Sequence, residues 1–321
     1  MSELDQELRA SGVGSSEIAM LVTDERGMPL SPYGGAFTLY TRKTGQELGP
    51  DEDTKLISRA RYIEPAGIHW YGDWTGRSIT LVPTIASKRH PVVVDSVDAL
   101  SSLESGEPPD RCVEFKTVHW TQRDKWGEPG TDQIPRHYIL QTQWHMGAHE
   151  LDVCDVPVDM GDRFELYTVK FDRALFEDLV EAAERFWRDH VVPRVPPEPD
   201  SMPETSRWLA RRLEQKFDTY VQADNVQAAM LMEYRRLKLE QSDRDQAIFT
   251  LENKIKMAIG EHSGIEISGT DLRATFRYQK GRTTINWKAI CESLGVDQKT
   301  IEKYTSTSER YRVFRPAALL K

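Results

Sequence analysis

The sequence predicts an α/β fold, a small central mixed sheet flanked by helices. Apolar strand-like runs lie between residues 78 and 170, amphipathic helical stretches stand before and after them, and Gly, Pro, Ser and Asp clusters separate the pieces. Residues 15–22 and 35–46 are expected as the first helices, divided by a loop holding Gly27, Pro29, Pro32, Gly34 and Gly35. A third helix is expected over 54–71. Strands are expected over 78–84, 91–96, 111–118 and 164–170. Residues 135–149 read as a helix opened by Pro135, a favoured first-turn residue. Residues 173–190 form another, with Leu175, Leu179, Ala182, Ala183 and Phe186 on its apolar face.

The prolines of 192–204 divide the chain into a first domain at 1–191, a linker at 192–204 and a C-terminal extension at 205–321. In the extension, 205–260 reads as two long helices, with Leu209, Leu213, Leu231, Leu237 and Leu251 among their apolar positions, forming a hairpin. Short strands are expected at 265–267, 272–278 and 283–287, around the turn ending at Arg282. A closing helix over 287–294 and a basic tail with Arg310, Arg312 and Arg315 follow.

The net charge of −9 is unevenly spread. Residues 1–200 hold 21 basic and 35 acidic residues, whereas 201–321 hold 21 and 16. This argues against tight nonspecific nucleic-acid binding over the whole surface, but not against a locally basic groove, because screening limits repulsion beyond about 8 Å. No apolar run reaches membrane-spanning length and no secretory signal is evident, so a soluble, cytoplasmic protein is expected. Cys112, Cys154 and Cys291 are scattered and odd in number. They suggest no disulfide framework and cannot supply the four thiolates of an iron–sulfur cluster. Cys112 reads as a small buried hydrophobe.

The chemistry concentrates at Glu114, Phe115 and Lys116. Side chains alternate along a strand, so Glu114 and Lys116 share one face while Phe115 points into the other layer. Asp98, at the end of the preceding strand-like run, joins Glu114 as a second oxygen donor for a hard divalent cation, and the Phe115 carbonyl offers another. Lys116 is then placed to stabilise charge on a scissile phosphate or to orient the attacking water. Asp95, on the opposite strand face, competes with Asp98 for the ligand role.

Together with residues 9–19, Glu64-Pro65 and 135–146, these motifs form an ordered set that resembles the YqaJ family of phage-type nucleases. That family is related to lambda exonuclease within the PD-(D/E)xK superfamily. The resemblance covers roughly residues 9–190. It implies a PD-(D/E)xK nuclease core and a Mg2+-dependent deoxyribonuclease, with Mn2+ substituting, that resects linear duplex DNA from a 5′ end. Asp98, Glu114 and the Phe115 carbonyl would bind metal, with Lys116 acting on the phosphate or its water. Glu64 adds a further carboxylate, Gln141 rather than Gln143 faces the site, and Tyr138 stands beside it. Arg9 and Ser16 would hold the terminal 5′-phosphate, although Ser15 or Ser16 also suits a helix cap. Free-ended double-stranded DNA, a single-strand annealing protein and a homo-oligomer, such as a ring-shaped trimer, are the implied partners. The family's Pro-Asp-Gly and Gly-Gly-Ser-Asp stand here as Val97-Asp98-Ala99 and Gly14-Ser15-Ser16-Glu17. An endonuclease of the same superfamily and a catalytically silent DNA-binding scaffold remain the alternatives. His145 and His149 read as an ordinary polar face, and Trp70, Trp74, Trp120 and Trp126 read by default as packing residues near the cleft.

Overall fold

The computed structural model describes residues 3–46, 55–212, 220–270, 272–281 and 283–306. They fall into two compact units, Met1–Arg212 and Leu213–Lys321. The first opens with α1 (Glu3–Ala10), a 3-10 turn (Ile18–Met20), α2 (Ala36–Lys43) and α3 (Lys55–Thr75). The helix expected over 15–22 is only that turn. Here the Glu17 carboxylate accepts the Gly14 N–H at 2.8 Å and pairs with Lys43 at 2.6 Å, fastening the loop to α2.

Strands β1 (Ser78–Thr80), β4 (Ala99–Ser102), β5 (Arg111–Val113), β6 (Lys116–Thr117), β7 (Val153–Asp159) and β8 (Phe164–Lys170) build the main sheet, and β2 (Ile85–Ala86) and β3 (Val94–Asp95) form a separate pair. In the main sheet β4 lies between β1 and β5. Strand β7 pairs in parallel with both β5 and β6 and antiparallel with β8, which makes the sheet mixed as expected. Helix α4 (Arg136–His149) precedes β7, and α5 (Arg173–Phe186) follows β8.

The strand expected over 111–118 is split at Glu114 and Phe115, and its partner supplies the reason. One register pairs Val113 with Asp155 and Lys116 with Val158, which sets Phe115 opposite Pro157. Proline has no N–H, so the ladder loses a donor at this point while bonds resume on either side, Glu114 N–H to Asp155 O at 3.0 Å and Val118 N–H to Asp159 O at 2.9 Å.

Side-chain alternation across the break matches the expectation. Val113 and Phe115 pack under α3 with Ile68 and Tyr71, whereas Cys112 turns to a second cluster with Met146, Cys154 and Val156. Phe115 presses its ring against Gly67, where no Cβ fits. Gly67→Ala should therefore destabilise the fold by about 1–3 kcal/mol through overpacking, read as a lowered midpoint in denaturant.

The segment expected as a linker belongs to the first unit. Tyr40 donates its hydroxyl to Arg194 O at 2.9 Å, and α6 (Pro203–Arg212) sends Trp208 Nε1 to Gln46 O at 2.8 Å with its ring edge-on to Phe37. The boundary expected between 204 and 205 thus lies between 212 and 213, because Trp208 anchors the chain past the prolines.

The second unit contains α7 (Asn225–Ile259), started by a reciprocal Asp224–Gln227 capping box, a β9 (Gly264–Glu266) and β10 (Arg273–Thr275) hairpin, α8 (Trp287–Ser293) and α9 (Gln298–Lys303). The two long helices expected over 205–260 are thus α6 and α7, which fall in different units. Residues 283–286 form no strand. Leu213, Arg282 and the basic tail at 310–315 lie outside the described residues.

Candidate active site

The break between β5 and β6 is where the acidic groups converge. Just before β4 begins, the Asp98 side chain takes over from the ladder, Oδ2 accepting the Phe115 N–H at 2.8 Å. Glu114 is buried on the sheet face under α4. Its Oε1 accepts from the Lys116 ammonium and from Gln141 Nε2, the latter at 2.6 Å. Glu64, exposed on α3, lies close enough to feel both Glu114 and Lys116.

Burial, then the neighbouring Glu114 charge, pushes the Asp98 carboxyl well above its usual range; Glu64 adds to the rise and Lys116 opposes it. Glu64 is raised for the same two leading reasons. Glu114 goes the other way, since Lys116 and His145 outweigh burial and hold it low. Lys116 stays charged because Glu114 and Asp98 outweigh its own burial. Three carboxylates crowd a partly dry site with one lysine among them, an arrangement that favours a further cation.

Oxygen donors of this kind suit Mg2+, which binds through one or two carboxylates and retains waters and substrate oxygens. Glu114 Oε2 is buried and has no aligned hydrogen-bond donor, leaving acceptor capacity unused. The fit is one of donor chemistry and not of a closed cage, since among the described residues no group of three or more His, Cys, Asp or Glu side chains is arranged to enclose a metal ion.

Ser16, Glu64, Lys116, Tyr138 and Gln141 line one pocket of about 270 Å³, along with the neutral ring of His137, whose pKa burial and then Lys116 push down to about 4. Lys116 Nζ stands 4.9 Å from the centre of the Tyr138 ring. Glu64 also borders a larger cavity of about 1070 Å³, with Asp98, Ile68 and Arg77. Arg9 does not line the pocket holding Ser16; its guanidinium donates to Ser96 Oγ at 2.6 Å. The turn at Ser15 and Ser16 starts no helix long enough to need the expected cap, and its N-terminal residue, Glu17, makes no side-chain capping bond.

Asp95 does not meet the site directly. Buried on β3, its carboxylate spans His145 Nδ1, at 2.8 and 3.0 Å, and accepts from His149 Nε2 at 3.1 Å. His145 Nε2 in turn lies 3.0 Å from Glu114 Oε2. The histidines expected as an ordinary polar face are therefore buried or nearly so and aimed at carboxylates. Their signal was spacing: Gln141, His145 and His149 recur every four residues, one stripe of α4 facing Glu114 and Asp95. Among the tryptophans, Trp126 packs against Tyr138 and Tyr167, Trp70 stacks between Trp74 and Phe164, and Trp74 and Trp120 are exposed.

Residues 6–151 match the YqaJ-like viral recombinase domain. The chain is 21% identical over 262 residues to the uncharacterized protein YqaJ of Bacillus subtilis (strain 168), covering 77% of this chain and 75% of that protein. Among solved structures it is similar to the alkaline exonuclease LHK-Exo of Laribacter hongkongensis, at 22% identity and a TM-score of 0.45 over 60% of this chain and 94% of that one. A phage-related exonuclease of Haemophilus somnus 129PT gives 11% identity and a TM-score of 0.41 over 56% and 94%.

Proposed function

We propose that this chain, whose residues 6–151 carry a YqaJ-like viral recombinase domain, is a phage-type nuclease that hydrolyses DNA phosphodiesters with a bound divalent cation. The observation that carries the reading is the convergence of Asp98, Glu114, Lys116 and Glu64 at the interrupted strand, with Gln141 fixed on Glu114. Asp98, Glu114 and the Phe115 carbonyl would hold Mg2+ or, in its place, Mn2+. When bound, the ion supplies Lewis-acid polarisation of the scissile phosphate. Lys116 offsets charge developing on the phosphoryl oxygens, Gln141 holds Glu114 in place, and Tyr138 covers the ammonium.

The substrate in this reading is linear duplex DNA resected from a 5′ end, the single strand passing to an annealing protein and the enzyme acting as a homo-oligomer. No helix among the described residues is long and apolar enough to cross a membrane. End-labelled linear duplex with Mg2+ should release nucleotides, and closed circular duplex should resist. Cleavage of the circle would favour the endonuclease, and no metal-dependent release from either substrate would favour the silent scaffold. Adding Mg2+ without DNA should also raise the melting temperature, as ligand binding to the native state requires.

Arg9 and Ser16 are assigned to the terminal phosphate. Ser16 stands on the pocket wall, and Arg9, which lies outside that wall, would leave Ser96 Oγ and swing toward the phosphate. Arg9→Ala should slow digestion of 5′-phosphorylated duplex several-fold more than of 5′-hydroxyl duplex, because only the former loses a charge-assisted contact. Equal slowing on both substrates would reduce Arg9 to a tether of α1 to Ser96.

A further inference from the structure

A buried bracket stands behind Glu114. His145 is fully buried, bound through Nδ1 to Asp95 and facing Glu114 Oε2 with Nε2 at 3.0 Å, while His149 closes the other side of Asp95 at 3.1 Å. The Nε2–H direction lies off the line to Oε2, so the ring packs against that oxygen while leaving its acceptor capacity unused. Oε1 is fixed from the opposite side by Lys116 and Gln141. The carboxylate is therefore hydrogen-bonded at Oε1 and backed at Oε2 by the buried imidazole, whose support reaches across to β3 through Asp95.

We propose that Asp95, His145 and His149 are positioning residues that pin Glu114 in a single orientation and thereby select a small, strictly octahedral cation over a larger, more adaptable one. The inference rests on the reading of Glu114 as a metal ligand. Mg2+ demands near-ideal octahedral geometry at short range, whereas Ca2+ accepts six to eight oxygens in flexible arrangements. A rigid carboxylate thus favours Mg2+, and a carboxylate free to swing removes that advantage. Groups that orient a ligating carboxylate commonly govern metal affinity in this way. Any change of charge beside Glu114 acts alike on two divalent ions, so the ratio of their affinities isolates geometry from electrostatics.

The test measures Mg2+ and Ca2+ in competition with Mn2+, whose paramagnetic resonance signal reports the free ion, on the full chain without DNA. Glu114→Ala serves as the control for the site. The full chain should bind Mn2+, release it to Mg2+ in preference to Ca2+, and lose binding with Glu114→Ala. In folded His145→Ala the Mg2+ over Ca2+ preference should fall about tenfold or more. His145→Gln, whose side chain still fills the space behind Glu114, should keep most of the preference. Should His145→Ala fail to fold, Asp95→Ala, which leaves the imidazole in place but removes both oxygens that anchor Nδ1, should still lower the ratio. An unchanged ratio in the folded variants overturns the bracket while leaving the nuclease reading intact. Unaltered Mn2+ binding by Glu114→Ala removes Glu114 as a ligand, and the bracket's role with it.

Discussion

Asp98→Asn should lower hydrolysis of linear duplex by about a hundredfold or more, as loss of a preorganised charge at a reacting phosphate does, while leaving the fold at least as stable as before. The asparagine amide keeps an oxygen for the Phe115 N–H, so the local turn survives. What disappears is a carboxylate that burial and the neighbouring Glu114 already oppose. Removing a strained group at a functional position commonly raises stability and costs activity. Initial rates at saturating Mg2+, beside a denaturant midpoint, check both halves. Asp95→Asn is the informative contrast. It removes a carboxylate that His145 and His149 hold far below its usual range against the opposing effect of burial, and should therefore cost stability first. Full activity in Asp98→Asn would return the ligand role to another carboxylate.

Asp155→Ala should destabilise the first unit by about 3–5 kcal/mol, the range for stripping one partner from a buried ion pair. The Asp155 carboxylate accepts from Tyr71 Oη at 2.6 Å, from Arg111 Nη1 at 3.0 and 3.1 Å, and from Thr168 Oγ1 at 2.8 Å. It ties α3, β5 and β8 to the centre of β7. Removing it leaves the Tyr71 hydroxyl, buried under the sheet, without its strongest acceptor, and Arg111 without its main counter-charge. Equilibrium urea unfolding measures the loss. A change below about 1 kcal/mol would place Asp155 with exposed pairs of little net worth.

The fold class was legible where one face is buried, as in 173–190, whose apolar residues recur at the helical period, whereas 135–149, buried on all sides from Leu140 to Met146, was signalled by Pro135. Strand β7 escaped notice because Asp155, Pro157 and Asp159 break up its apolar run, and a proline ordinarily argues against a central strand. Here the missing N–H falls at the gap between β5 and β6, where no bond is required of it. Helix α6 was assigned to the wrong unit because prolines advertise an extended chain and say nothing of whether Trp208 will find Gln46 and Phe37. At the site, Glu114, Lys116 and Asp98 were readable from alternation and spacing. Asp95 and His145 were not, since a pair 50 residues apart in sequence becomes adjacent only after β3 and α4 have packed.

The substitution of a side chain for a strand at Phe115 gives this protein a built-in observer. Along the sheet's ladders an amide proton answers to a neutral carbonyl; this one answers to the carboxyl group of a proposed ion ligand. Its nuclear magnetic resonance frequency is therefore tied to the charge on Asp98. A single backbone signal, followed in an isotopically labelled sample, would register occupation of the site in the resting protein, with no substrate present and no turnover required.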